Sequence, residues 1–510
     1  MNATEWIESF RLPPIPEDRE EILETLSREI YGDLPAPVPV DYTVENESDS
    51  LAGKALLRSI NVTLHLPNGD FTYPACVLIP KKVPRPRLFV NLAFRPMPDR
   101  YIPAEEIIDS GSAIAVLCYN DVTTDDADFS NGLAAFFPPD GPRRCGKIGL
   151  WAYAAQRLLD VLLSWDLFDP ARIAVIGHSR LGKTALWCGA TDERFSLSVS
   201  NDSGCSGASI TRHKSGEDIE QIIMRFAYWF CDNYRNYVKG EDRLPFDQHW
   251  LLAAIAPRLV LVNSSKEDWW ADPYNEFLSC MAAGERWQQM TGTGFVAPNR
   301  LPEPGDRFYD GPIGYAMRPG PHFFSREDWN SALNFWRRHE PQPELPEGVC
   351  TIREFRPDDA AAAAAIWNRV VDDGAAFPQV DPLNEAEAAA FFASQSFTGI
   401  AEDPVTGAVV GLYILHPNNV GRCGHIANAS YAVAPESRGK GIGQALVAHS
   451  VQKGGELGFR IMQFNAVVAN NAPALHIYEK LGFICLGTIP GGFRMKDDTC
   501  QNIVLFYRML

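Results

Sequence analysis

Through residue 340 the chain alternates two patterns. Short runs rich in apolar and β-branched residues, RLFVNLAF (87–94), AIAVLCYN (113–120), RIAVIGHS (172–179), LSVSNDS (197–203) and RLVLVNSS (258–265), are separated by stretches of helical period such as WAYAAQRLLDVLLSW (151–165). A strand covered on both faces needs no polar alternation, so these runs predict buried parallel strands. The helices between them predict an α/β sheet with helices layered on it. An amphipathic helix over DWNSALNFWRRHE (328–340) closes the pattern. The next stretch, EPQPELPEG (340–348), holds three prolines and a glycine in nine residues. Neither a helix nor a central strand continues through it. Beyond it, CTIREFRPDDAAAAAAIWNRVV (350–371) reads as strand, turn and helix, with Asp358 or Asp359 as the N-cap. The chain therefore divides into residues 1–340, a linker at 341–349, and residues 350–510, with no internal repeat.

Composition narrows the class. The 510 residues are 46% hydrophobic and 22% charged, an ordinary globular balance that excludes disordered and collagen-like chains. With 46 Lys+Arg against 64 Asp+Glu, the net charge of −18 argues against a nucleic-acid binder. No run of about 20 apolar residues is present, so no membrane span is expected. The opening MNATEWIESFRLPPIPEDREE has no basic segment followed by an apolar one, and the eleven cysteines form no CxxC pair. Both point to a cytoplasmic protein with reduced thiols. Histidine and cysteine spacings imply no metal site. Charge is uneven: residues 431–510 carry 8 Lys+Arg against 5 Asp+Glu, a basic segment in an acidic chain.

Candidate chemistry begins at Gly177-His178-Ser179-Arg180-Leu181-Gly182-Lys183. A buried strand ends there and the helix KTALWCGA starts almost at once. Such a turn exposes the Ser179 hydroxyl at the carboxyl end of the sheet and aims the first helical N–H groups at whatever it attacks. A serine nucleophile needs a histidine base and an acid that orients it. His322, in a loop just before the closing helix, is the candidate base, ahead of His213 and His249. Asp268, after the penultimate strand, and Asp202, one strand earlier, compete as the acid, with Glu267 as a residual choice.

GHSRLGKTALW, SNDSGCSGASITR, AYWFCDNYRNY, LPFDQHWLLAAIAPRLVLV, EDWWADPYNEFLS and GPHFF resemble the glucuronoyl esterase family of carbohydrate esterases, over residues 1–338. The resemblance implies an α/β-hydrolase fold with a doubly wound sheet. It implies a serine ester hydrolase in which Arg180 helps to hold the oxyanion, Lys183 binds sugar hydroxyls and Trp229 lies by the sugar; the residues themselves offer Trp269 and Trp270 as a further stacking wall, with at least one of the two expected in the core. The fungal branch has its acid where Asp202 sits, as a glutamate; the bacterial branch more often uses the later position. Family members are normally exported, so without an export signal the expected substrate is a small uronate ester or another carboxylate ester.

A second motif lies in the basic segment. Arg438-Gly439-Lys440-Gly441-Ile442-Gly443 follows a β run ending at Val433 and opens the helix QALVAHSVQKGGELGF. Glycines at a helix N-terminus leave backbone N–H groups free to cradle phosphate oxygens, and Arg438 and Lys440 add charge. A Rossmann fingerprint and a P-loop both fail here. R-x-x-G-x-G, followed by ANNAPALHIYEKLGF (469–483), resembles the GNAT N-acetyltransferase superfamily over 351–510. That resemblance implies an α/β domain with a mixed, splayed sheet that takes acetyl-CoA as co-substrate. Backbone at Val433 and the side chain of Asn471 would meet the pantetheine, and Tyr478 would protonate the leaving thiolate. The amine acceptor is unspecified, and Glu385, Glu387, His425 and Glu436 are base candidates by residue type. The expectation is a two-enzyme chain. Its alternatives are a silent sugar-binding hydrolase half or an acetyl-CoA-sensing GNAT half.

Overall fold

The computed structural model describes residues 2–138, 140–340, 346 and 348–510. Most of the expected linker, 341–345 and 347, lies outside the described residues. The chain forms two compact units, Met1–His339 and Glu340–Leu510. Among the described residues no helix is long and apolar enough to cross a membrane.

The first unit is built on ten strands: β1 (Val40–Ser50), β2 (Ala55–Leu66), β3 (Gly69–Pro80), β4 (Arg87–Ala93), β5 (Ser112–Cys118), β6 (Ile173–His178), β7 (Leu197–Asn201), β8 (Leu259–Ser265), β9 (Arg307–Phe308) and β10 (Ile313–Arg318). Their order is β1-β2-β3-β5-β4-β6-β7-β8-β10-β9. From β5 to β10 the neighbours are parallel; β1–β3 form an antiparallel meander on one edge and β9 caps the other. Leu88, Val90, Val175 and Val262 pack to one side, against the helices Lys147–Ser164 and Arg180–Thr191. Phe89, Ala174, Ile176 and Leu261 pack to the other, against the helices Ala104–Asp109 and Arg326–Arg338. Helices on both faces are why the central strands read as unbroken apolar runs. The sheet is doubly wound, and β6 ends near its middle.

The second unit has seven strands: β11 (Thr351–Glu354), β12 (Phe397–Glu402), β13 (Val409–Pro417), β14 (Ile426–Val433), β15 (Ile461–Val468), β16 (Ile484–Arg494) and β17 (Cys500–Met509). They run in the order β11-β12-β13-β14-β15-β17-β16. All neighbours are antiparallel except β14 and β15, which pair only at Ile426 with Ile461 and Ala427 with Met462. Past that point the two strands part and the mixed sheet splays. The helix Ala360–Asp373 starts at one of the two positions the sequence offers. Asp359 stands at its N-cap but makes no side-chain cap bond. Its carboxylate is taken instead by the Arg353 guanidinium and the Arg356 N–H.

Candidate active sites

In the first unit, β6 delivers Ser179 into a sharp turn. Its backbone sits at φ 59°, ψ −126°, a conformation a non-glycine residue holds only when the surroundings enforce it. Two close approaches enforce it. A Cβ on Gly177 would fall 2.1 Å from the Leu181 carbonyl oxygen, and one on Gly182 would meet Ser203 Cβ at 3.1 Å. The second glycine therefore serves packing against the end of β7. The Ser179 N–H donates to Asn201 O at 2.8 Å, and the helix starts at Arg180.

The loop after β10 brings His322 to the same place. Its Nδ1 meets Asp268 Oδ2 at 2.6 Å, which leaves Nε2 for the serine proton. Burial alone raises the Asp268 carboxyl, but the hydrogen bond and charge of His322 outweigh it and hold the carboxyl below its usual range. Asp202 lies close, its carboxylate within 4.8 Å of the ligand atoms of Asp268 and His322. Its oxygens are committed elsewhere, accepting from Ser265 N–H at 2.6 Å and Ser265 Oγ–H at 2.7 Å. Burial, then the charge of Glu276, pushes Asp202 well up. His178 packs against His322 with ring centroids 4.4 Å apart. Burial, then the charge of His322, holds His178 at about 3, so it is a neutral floor under the candidate base. His249 is buried with Nε2 on Pro13 O at 2.9 Å, and His213 packs on Phe10. Glu267 takes no part in the His322 hydrogen bond. Ser179, Arg180 and His322 line one cavity of about 300 Å³, whose other walls include Phe94, Arg95, Tyr101 and Phe323.

Three expected substrate contacts are placed differently. Lys183 is buried and donates its ammonium to the Ser203 carbonyl, since its helix carries it inward beneath the elbow rather than to the cavity. Trp229 is buried too. Phe226 stacks on its ring at 4.0 Å, the Arg180 guanidinium lies over it at 4.8 Å, and its Nε1–H donates to Asp125 Oδ1 at 2.7 Å. No face remains for a sugar. Trp270 is exposed, but it holds the Arg225 guanidinium at 5.0 Å and does not line the Ser179 cavity. Sequence reasoning missed Asp125, the ion-pair partner of Arg180, which is 55 positions away and carries no motif.

In the second unit the divergence of β14 from β15 opens a cavity of about 760 Å³ lined by Val433, Arg438, Gly443, Asn471 and Tyr478. Gly439 (φ 77°) and Gly441 (φ 84°) are left-handed, a region that disfavours any side chain. Nothing stands within 4 Å of a Cβ built on Gly439, and Gly441 caps the helix Ile442–Glu456. With Arg438 and Lys440 beside it, this helix N-terminus suits a diphosphate. Arg438 meets Asp373 at 3.2 Å. Asn471 caps the helix Ala472–Lys480, its Oδ1 accepting from Ala474 N–H at 3.3 Å. Tyr478 packs among Phe464, Phe483 and Phe506, and burial pushes its phenol up. None of Glu385, Glu387, His425 and Glu436 lines this cavity; the carboxylate that does is Asp373.

Comparison with known proteins agrees in both units. A family model described as glucuronyl esterase of fungi matches residues 59–292, and the acetyltransferase (GNAT) family model matches residues 366–483. Carbohydrate esterase MZ0003, from an unknown prokaryotic organism, is 40% identical over 242 residues, which is 46% of this chain and 55% of that protein. The 4-O-methyl-glucuronoyl methylesterase of Phanerochaete carnosa is 27% identical over 289 residues, 53% of this chain and 66% of the relative. The chain thus spans between about half and two thirds of these curated relatives. A solved structure of a promiscuous CE15 esterase from a marine bacterial metagenome matches with a TM-score of 0.58 at 30% identity, covering 63% of this chain and 91% of that one.

Proposed function

The N-terminal part of the chain belongs to the glucuronoyl esterase family and the C-terminal part carries a GNAT acetyltransferase domain, and from that premise we propose a bifunctional enzyme: a serine hydrolase of a uronate-type carboxylic ester, joined to an acetyl-CoA-dependent N-acetyltransferase. The observation that carries the first half is the chain Asp268–His322 with Ser179 and Arg180 on one cavity at the strand ends. Ser179 Oγ attacks the ester carbonyl while His322 Nε2 takes its proton. Asp268, ionised, keeps the ring's other proton on Nδ1 and faces the imidazolium that forms. The oxyanion is met by the Arg180 N–H and by the Arg180 guanidinium. Each such donor contributes roughly 3 kcal/mol to the barrier reduction. His322 then protonates the leaving alcohol, and water repeats the sequence to free the acid and Ser179. The name of the Phanerochaete relative supports a glucuronate ester as the substrate. The test is hydrolysis of a glucuronic acid methyl ester, with fluorophosphonate labelling, by wild type and Ser179→Ala. Loss of both in the variant is expected. A wild type that neither hydrolyses nor labels leaves a silent sugar-binding module.

In the second half, bound acetyl-CoA supplies an activated thioester acetyl group. Gly439, Gly441 and the helix N-terminus hold its diphosphate, with Arg438 and Lys440 adding charge. Val433 offers backbone and Asn471 a side-chain amide along the splay. Tyr478 keeps its proton at neutral pH because burial disfavours the phenolate, so it is a proton donor facing the cleft. A cytoplasmic location belongs to this proposal, because acetyl-CoA is needed. The test is calorimetric binding of acetyl-CoA followed by thiol release over a panel of amines. Binding without release on any amine favours a sensor.

A further inference from the structure

Arg180 cannot hold an oxyanion unless something holds Arg180. An arginine side chain loses up to about 2 kcal/mol of rotamer entropy when fixed. This one is already fixed. Its guanidinium lies against three aromatic faces, Phe94, Phe226 and Trp229, at 4.8 to 5.6 Å. Its Nη1 is paired with Asp125 Oδ2, while its buried Nε has no hydrogen-bond partner. Asp125 is immobilised in turn. Trp229 Nε1–H donates to Oδ1 at 2.7 Å, the Tyr119 hydroxyl to Oδ2 at 3.3 Å, and the Tyr228 hydroxyl to the backbone carbonyl at 2.8 Å. The loop bearing Asp125 is tied from beneath. Lys147 is fully buried, and its ammonium donates to Thr124 O at 2.6 Å, Asp128 O at 2.7 Å and Asp126 Oδ1 at 3.3 Å. The lysine stands where a bound cation would stand in an oxygen-rich loop.

We propose that Asp125 is the positioning residue of the esterase: it orients the Arg180 guanidinium at the edge of the Ser179 cavity, on a loop that Lys147 fixes as a built-in cation. This rests on the esterase reading above. Trp229 thereby takes a different part from sugar stacking, as the donor that fixes the far oxygen of Asp125.

The test is a double-mutant cycle on hydrolysis of a glucuronic acid methyl ester, using the full chain. Asp125→Asn keeps the shape but removes the charge. It is expected to lower kcat by about 10- to 100-fold with KM unchanged, because a misplaced donor acts on the transition state. Its thermal midpoint should match the wild type. In the Arg180→Ala background the same change should cost nothing further, since residues acting through one another are not additive. A wild-type kcat in Asp125→Asn, or an undiminished loss in the Arg180→Ala background, overturns the proposal alone. A wild type that hydrolyses no such ester overturns the esterase reading and this proposal with it.

Discussion

Two acids stand within reach of His322, and they differ in what they bond. Asp268 accepts from Nδ1 at 2.6 Å. An asparagine there presents N–H to the same nitrogen, so the ring proton moves to Nε2 and the base faces Ser179 already protonated. The wrong tautomer in a serine triad costs about 10⁴ in kcat, near 5 kcal/mol at about 1.4 kcal/mol per decade. Asp202→Asn is different. The oxygens of Asp202 are taken by Ser265 N–H and Oγ–H, and the Arg318 guanidinium is 3.7 Å away. The amide oxygen still accepts from the Ser265 N–H, and the Ser265 hydroxyl can turn to accept from the new NH₂. The change also removes a carboxylate from a buried cluster that includes Glu276 and Asp328. It should leave kcat within about tenfold of wild type and stability within about 1 kcal/mol. The assay is acid release from a glucuronic acid methyl ester, followed by pH-stat from pH 5 to 9, on both variants. Equal losses in the two, or more than a tenth of wild-type kcat in Asp268→Asn, would refute the assignment.

Tyr478→Phe should cut acetyl transfer by about 100-fold or more while leaving the calorimetric Kd for acetyl-CoA unchanged, and an unaffected rate assigns the proton to another donor. Gly441→Ala should weaken acetyl-CoA binding by about tenfold. Val349 stands 3.6 Å from the new Cβ, so the cost is the left-handed backbone at about 1 kcal/mol and a shifted loop, and retained affinity would argue against the diphosphate cradle. Glu276 is fully buried, and burial raises its carboxyl to about 7, with Ser264 Oγ–H and Gly204 N–H opposing. Its folded value lies above its unfolded one, so the folded state keeps a proton that the unfolded chain has lost, and stability falls as pH rises from about 4.5 to 7. The difference is on the order of 3 kcal/mol. Denaturant melts at pH 5 and 8 should show a smaller decline for Glu276→Gln than for wild type; parallel declines would exclude this linkage.

What the sequence makes legible depends on whether a role is set by backbone or by a distant partner. β4, β6, β7 and β8 read directly because helices cover both faces, so no polar alternation obscures them. β1 escaped because VENESDS lies exposed to solvent and is mostly polar, and β10 because IGYAMR is short with a glycine at its second position. The Ser179 elbow and the turn at Gly439–Gly441 are written in consecutive residues: the glycines are there because no side chain fits or the backbone is left-handed. Side-chain destinations obey no such local rule. Lys183 is a helix turn from Ser179, yet its ammonium goes inward to Ser203 O. Trp229 and Arg180 are drawn together by Asp125, across 104 and 55 positions of chain. Asp202 and Asp268 look equivalent as strand-end carboxylates. They differ in what donates to them, and for Asp202 both donors come from one residue on β8, the strand that pairs with β7. Strand pairing accounts for the difference between the two acids: β7 and β8 bring Ser265 to Asp202, while Asp268 is the carboxylate hydrogen-bonded to His322.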